Sequence, residues 1–310
     1  MKIALEPSCV GFERYAIGGP EVPRGFDVRG GGMGVSESPS PTSFDALDGA
    51  AASQAASDVT DDPFGLDLEL RQRVSPAFRF LHDRYWRVDV GGAQHVPADG
   101  PVLLVANHSG ALPFDGAMVV TAVDGQRRRV VRFLYDRFVE TISPLDMFYR
   151  KMGGATASRE NAQALLRMGQ PVLLFPEGIS GVAKPFSERY RLRPFSAGFA
   201  RLAMQFDAPV VPVAIVGAEE IYPLVGRAEG LGKAIGMPYL PITPFFPLLG
   251  LLGALPLPTK WFIRFGKPLR LSSSGDDAYV RARSEAVRVR RHLQAMVTRL
   301  KNRRRSVFFG

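Results

Sequence analysis

The sequence of 310 residues predicts an α/β fold, a mostly parallel central sheet flanked by helices, in a single catalytic domain behind a disordered N-terminal tail. Three observations predict it. From Val88 onward, short apolar runs alternate with stretches of helical period. Three of those runs, Pro101-Val-Leu-Leu-Val-Ala106, Val172-Leu-Leu-Phe175 and Val210-Val-Pro-Val-Ala-Ile-Val216, are nearly continuous, as buried strands are, and each ends in a polar or glycine turn. Composition shifts once, early, so length alone does not demand a second domain.

The tail comes first. Residues 1–62 hold four basic and ten acidic side chains among many Gly, Ser, Pro and Ala, a composition that buries too little apolar surface to offset chain entropy. Against a whole-chain total of 39 basic and 30 acidic side chains, this leaves 35 and 20 for the remainder, a net of +15. Such a surface suits anionic lipid, an acidic carrier or nucleic acid. No base-reading motif accompanies the charge, so nucleic acid is not expected as a partner. The sole cysteine, Cys9, excludes a disulfide framework, and no metal site is expected. The first residues lack a secretory apolar stretch, so nothing directs the domain out of the cytoplasm.

Residues 63–87 predict an amphipathic helical segment interrupted near Pro76. Its aromatics Phe78, Phe80, Tyr85 and Trp86 suit packing on the sheet or, alternatively, a headgroup zone. The catalytic domain spans 88–275. Within it, Asn161 to Met168 and Phe199 to Phe206 have helical period, and Trp261-Phe-Ile-Arg-Phe-Gly266 reads as a last strand and turn. The uncharged stretch from Ile235 to Pro258 is long enough to span a bilayer, but six prolines and three glycines from Gly236 onward break a regular helix. An interfacial loop is the favoured reading, with a buried loop or a span as alternatives. Residues 276–310 predict a basic helix with apolar positions Val280, Ala286, Val289, Leu293, Met296 and Leu300 opposite an arginine-rich face, a candidate for anionic lipid.

Of the four histidines, only His108 combines a strand end, a nearby carboxylate, Asp115, and flanking small residues. Open α/β sheets keep their chemistry at strand ends, and a histidine side chain takes up a proton near neutral pH, so His108 is the candidate base. Arg159, at a helix start, could meet a phosphate or carboxylate, or simply pair with Glu160. Glu177 stands between Pro176 and Gly178 after an apolar strand, where an acid is costly unless it binds something. Pro212 suits an edge or a strand start. Lys184, Arg189, Arg191 and Arg193 among Phe186, Tyr190 and Phe195 could face an anionic ligand or be a solvated loop. There is no Gly-x-Ser-x-Gly elbow of a serine hydrolase and no nucleotide-binding glycine loop.

Four blocks in order, Asn107-His108 with Asp115, Gly154-Ala-Thr-Ala-Ser158-Arg159, Phe175-Pro176-Glu177-Gly178 and Val211-Pro212, resemble those of the glycerolipid and lysophospholipid acyltransferase superfamily. The second block is similar to that of mono- and diacylglycerol acyltransferase-like proteins. The resemblance implies that His108 and Asp115 are catalytic, with Asp115 orienting the imidazole, and that Asn107, Arg159, Pro176, Glu177, Gly178 and Pro212 serve substrate binding, Glu177 on the glycerol part. One departure stands out: six residues separate His108 from Asp115, where the family has four. Two extra residues, including Pro113, would have to bulge outward to return Asp115 to the histidine. A helix-start acid is the alternative for Asp115.

The implied activity is O-acyl transfer to a lysophospholipid or glycerolipid hydroxyl at the cytoplasmic face of a membrane, with peripheral attachment. Acyl-coenzyme A or acyl carrier protein would be the co-substrate, membrane lipid the partner, and no cofactor is implied. Alternatives are a neutral acceptor (monoacylglycerol, diacylglycerol or fatty alcohol) and a catalytically silent lipid-binding protein.

Overall fold

Alternate residues of strand β2 (Val102–Ala106) face opposite sides, so Leu103 and Val105 enter one apolar cluster while Val102, Leu104 and Ala106 enter another. That two-sided burial is why the run is continuously apolar, and it makes β2 the middle of a layered fold. A computed structural model of the protein describes residues 62–109, 113–234, 240–272 and 277–310. The predicted tail therefore lies, but for Asp62, outside the described residues.

Strand β2 is joined by β1 (Asp89–Gly91), β3 (Arg132–Tyr135), β4 (Gly154–Thr156), β5 (Pro171–Leu174), β6 (Val210–Val216) and β9 (Phe262–Phe265). Among the described residues they form one sheet in the order β1-β9-β6-β2-β5-β3-β4. Neighbours run parallel except β6 and β9, which are antiparallel. A short hairpin of β7 (Gly226–Ala228) and β8 (Leu240–Ile242) stands apart from this sheet.

Helix α1 (Leu68–Phe80), α2 (Phe114–Arg127) and Trp86 cover one face, where Trp86 stacks on Trp261 at 4.7 Å. Asp67 caps α1 by accepting the Leu70 N–H, and the buried Arg71 ties α1 to α2 through both Asp124 oxygens, at 2.7 and 2.6 Å. Pro76 does not interrupt α1, contrary to expectation. It and Gln72 lie on the solvent side, so the carbonyl deprived of its helical partner meets water. Trp86 is wholly buried and Tyr85 donates to the Pro256 carbonyl; of the four aromatics singled out, Phe80 alone is strongly exposed. This segment packs on the sheet.

Of the remaining helices α3 (Ser143–Lys151), α4 (Arg159–Arg167), α5 (Ile179–Val182), α6 (Gly198–Gln205), α7 (Glu229–Ala234) and α8 (Ala278–Arg303), the other face carries α4, α6 and α8. The basic C-terminal helix, a candidate for anionic lipid, is a core layer through its apolar stripe: Ala282, Ala286, Val289, Leu293, Val297 and Leu300 are buried on the sheet and α6. Arg290 is likewise committed, donating to the carbonyls of Leu192 and Arg193. Residues from Phe64 to Gly310 form one compact unit, so 276–310 belongs to the catalytic body and is not an appendage.

Pro212 occupies neither an edge nor a strand start. It lies in the interior of β6, between β2 and β9. Val213 pairs with Phe265 and Val210 bridges Leu269, so the four residues 210–213 oppose the five residues 265–269, and the extra residue lies on the β9 side. At that bulge the Pro212 carbonyl accepts the Gly266 N–H, and the missing proline donor leaves no ladder bond broken.

Candidate active site

Because β2, β3, β4, β5 and β6 are mutually parallel, their C-terminal ends open onto one edge of the sheet. His108 leaves β2 at that edge. Asn107, fully buried, brackets the neighbouring strand: Nδ2 donates to the Ile215 carbonyl at 3.0 Å, and Oδ1 accepts the Ile215 N–H at 2.8 Å. Both polar atoms of Asn107 bond to β6, so this residue, implied by the resemblance to serve substrate binding, anchors the strand end that carries His108.

Three contacts then fix His108. Its backbone N–H donates to Glu177 Oε1 at 3.0 Å, its ring stacks on Phe175 at 4.2 Å, and Nδ1 lies 2.7 Å from Asp115 Oδ2. Asp115 is fully buried in the first turn of α2 and also accepts the N–H groups of Ser109 at 2.9 Å and Gly116 at 2.7 Å. The positive end of the helix dipole adds to these donors in holding a carboxylate there. The six-residue spacing thus still closes on the histidine, although residues 110–112 of the loop lie outside the described residues. With Nδ1 given to Asp115, Nε2 is the nitrogen left to take a proton.

Glu177 is not an open ligand for glycerol. Its side chain is wholly buried, with Oε1 on His108 and Oε2 on the Arg193 N–H at 2.7 Å. Lys184, 2 % exposed at its side chain, stands 3.5 Å from Glu177 Oε2 and 3.0 Å from Glu219 Oε1. The basic and aromatic stretch from Lys184 onward is therefore partly interior and does not present all its charges to a ligand. Burial pushes the Glu219 carboxyl up to about 6, with Lys184 pulling the other way. Pro176 is buried and its carbonyl accepts the Ser196 N–H, while Gly178 turns the chain at φ 56°, a region that favours glycine. Gly181 is required by space: a Cβ there would stand 2.8 Å from that of Glu177 and 3.0 Å from that of His108.

Arg159 is exposed as the first residue of α4, behind the cap Ser158, which accepts the Asn161 N–H. It follows β4, three strands from β2, roughly 14 Å away at the usual strand spacing. The structure thus joins His108, Asp115 and Glu177 in one cluster and places Arg159 farther along the same edge. Lys184 as a buried cation, Glu219, and Glu220 paired with Arg304 escaped the sequence reading. The acidic pair after the strand end at Gly217 was a signal for them, but its partners are far away in the chain.

A family model described as Acyltransferase matches residues 87–216, from just before β1 to the end of β6. An uncharacterised protein of Mycobacterium tuberculosis is 39% identical over 273 residues, covering 86% of this chain and 76% of its own. The chain belongs to the acyltransferase family. Within that family it is similar to the human 1-acyl-sn-glycerol-3-phosphate acyltransferase alpha, 29% identical over 46% of this chain and 51% of that protein. It is also similar to the chloroplastic phytyl ester synthase 2 of Arabidopsis thaliana, 32% identical over 44% of this chain and 20% of that protein. The histidine, carboxylate and small-residue turns described above lie in the matched region.

Proposed function

We propose that this acyltransferase moves a fatty acyl group from acyl-coenzyme A or acyl carrier protein to the hydroxyl of a lysophospholipid or related glycerolipid, with His108 as general base. The hydrogen bond between His108 Nδ1 and Asp115 carries the reading, because it orients a basic Nε2 at the open edge of the sheet. Nε2 would take the acceptor's proton as its oxygen attacks the thioester carbon. The tetrahedral intermediate then expels the thiolate as the C–S bond breaks, and the imidazolium returns the proton to sulfur. Asp115 would stabilise that imidazolium. The backbone N–H groups of His108 and Ser109 are spent on Glu177 and Asp115, so neither serves the oxyanion.

Arg159 would meet an acceptor phosphate, a role supported by its exposure at a helix start and by the phosphate named in the human relative. A neutral acceptor is the second reading, favoured by the similarity to a phytyl ester synthase. Incubating purified protein with labelled palmitoyl-coenzyme A, or the acyl carrier protein equivalent, and a panel of lysophospholipids and neutral glycerides separates the two. Transfer to neutral acceptors alone would sink the phospholipid assignment.

Peripheral attachment at the cytoplasmic face of a membrane completes the proposal. No helix among the described residues is long and apolar enough to cross a membrane. Instead the proline-rich segment leaves Leu248 81 %, Leu249 53 %, Leu252 72 % and Leu255 62 % exposed. Val216, the last residue of β6, pairs with Phe262, the first of β9, so this segment enters the sheet at the His108 edge. Arg87 ties its base to the C-terminus by donating to the carbonyls of Pro258 and Phe308, beside the exposed Phe309. Apolar side chains at the catalytic edge suit an interface from which the acceptor is drawn.

A further inference from the structure

Lys184 is a cation almost without solvent, held among three acceptors: Glu219 Oε1 at 3.0 Å, the Arg191 carbonyl at 3.3 Å and Glu177 Oε2 at 3.5 Å. An ammonium has three N–H donors, and each has one partner here. Its surroundings are equally committed. Glu219 Oε2 accepts the Tyr190 N–H at 2.8 Å, and Glu177 Oε2 accepts the Arg193 N–H at 2.7 Å. The loop from Lys184 to Arg193 is therefore wrapped around two buried carboxylates, and one of those carboxylates grips the His108 backbone with its other oxygen.

An apolar residue of similar length would avoid desolvating three charges, so such a triad is a poor device for stability alone. It does, however, impose a geometry. The Glu177 carboxylate is set between the cation on one oxygen and His108 on the other. Without the cation, Glu177 Oε2 loses the ammonium that pins it, and Glu177 is free to swing away, which takes the His108 backbone with it. The imidazole would then lose its alignment with Asp115, since 2.7 Å leaves little tolerance.

We propose that Lys184 is a positioning residue for the catalytic histidine, acting through Glu177 to hold the His108 backbone at the sheet edge. The inference rests on the reading of His108 as the base. Transmission is short: Lys184 to Glu177, Glu177 to the His108 N–H, and His108 to Asp115.

The test is Lys184→Met in the full chain, read by isotope-edited NMR of the histidine ring nitrogens, with the His108 signal assigned by its loss in His108→Ala. The wild-type protein should show one tautomer, Nδ1 protonated and Nε2 bare. In Lys184→Met both tautomers should appear, and kcat with palmitoyl-coenzyme A and a lysophosphatidic acid should fall on the order of 10- to 100-fold with KM little changed, the signature of a displaced group. A folded Lys184→Met protein that keeps one tautomer and the wild-type kcat overturns the proposal. If that variant does not fold, Lys184→Met with Glu219→Gln removes the cation together with one buried anion and takes the same measurements, with the same outcomes deciding. The two possible failures are separable. Undiminished transfer by His108→Ala overturns the base assignment, whereas an unchanged His108 tautomer overturns the positioning role alone.

Discussion

Asp115 Oδ2 receives two donors from the turn that carries the base: the His108 ring at Nδ1, 2.7 Å away, and the Ser109 N–H, 2.9 Å away. The same carboxylate therefore orients the imidazole and holds the backbone beside it. His108→Ala should lower kcat on the order of 10²- to 10⁴-fold while leaving the thermal midpoint nearly unchanged, because the ring is proposed to act in the transition state. Asp115→Asn should lose comparable activity, since an amide favours the wrong tautomer, and should also unfold earlier. Steady-state kinetics with a thermal scan checks both, and full activity in Asp115→Asn would remove the aspartate from the mechanism.

Gly181→Ala should be damaging although it adds one methyl. Its Cβ would meet the Cβ atoms of Glu177 and His108 at 2.8 and 3.0 Å, neither of which is a flexible end. A stability loss of about 1–3 kcal/mol is expected from overpacking, with a fall in kcat as His108 is pushed. Denaturant titration beside kinetics decides it, and a variant with wild-type values of both would contradict the close packing.

Glu219 sets a pH dependence of stability. Its carboxyl is pushed up to about 6 by burial, so the folded state holds this proton more tightly than the unfolded chain, whose value is near 4.5. The stability contributed is fully present below about 4.5 and is lost as pH rises through about 6. Wild-type stability minus that of Glu219→Gln should therefore decrease between those two pH values and level off above. Urea unfolding of both proteins across this range is the measurement, and a difference that rises with pH would reverse the assignment.

Arg159→Ala should raise KM for a phosphate-bearing acceptor on the order of 10-fold, as a charge-assisted hydrogen bond is lost, and leave a neutral glyceride unaffected. Equal losses on both acceptors would point to the start of α4 itself. No change on either would take Arg159 out of the site.

Replacing Leu248, Leu249, Leu252 and Leu255 by Ser should reduce the salt-resistant part of binding to anionic vesicles, since these side chains are already exposed and their loss leaves the core intact. Rising salt should weaken the remainder, worth roughly 1 kcal/mol per surface Lys or Arg before screening. Co-sedimentation measures both parts. Release from membranes only by detergent would rule out peripheral attachment.

The sequence by itself determined the α/β class, the strands at 102–106, 172–174 and 210–216, the histidine at a strand end, and the family. Continuous apolar runs and turn residues are local signals, read from neighbours a few positions apart. Which groups meet was decided by the tertiary structure. Asn107 is an anchor because Ile215 runs beside it, Glu177 is a clamp because Lys184 and Arg193 fold back over it, and the basic helix at 278–303 is a core layer because its apolar stripe packs on the sheet. Charged and amide side chains look alike along a sequence whether they bind a ligand or the protein's own backbone. Only packing, which excludes water and leaves each buried polar atom in need of a partner, decides between the two.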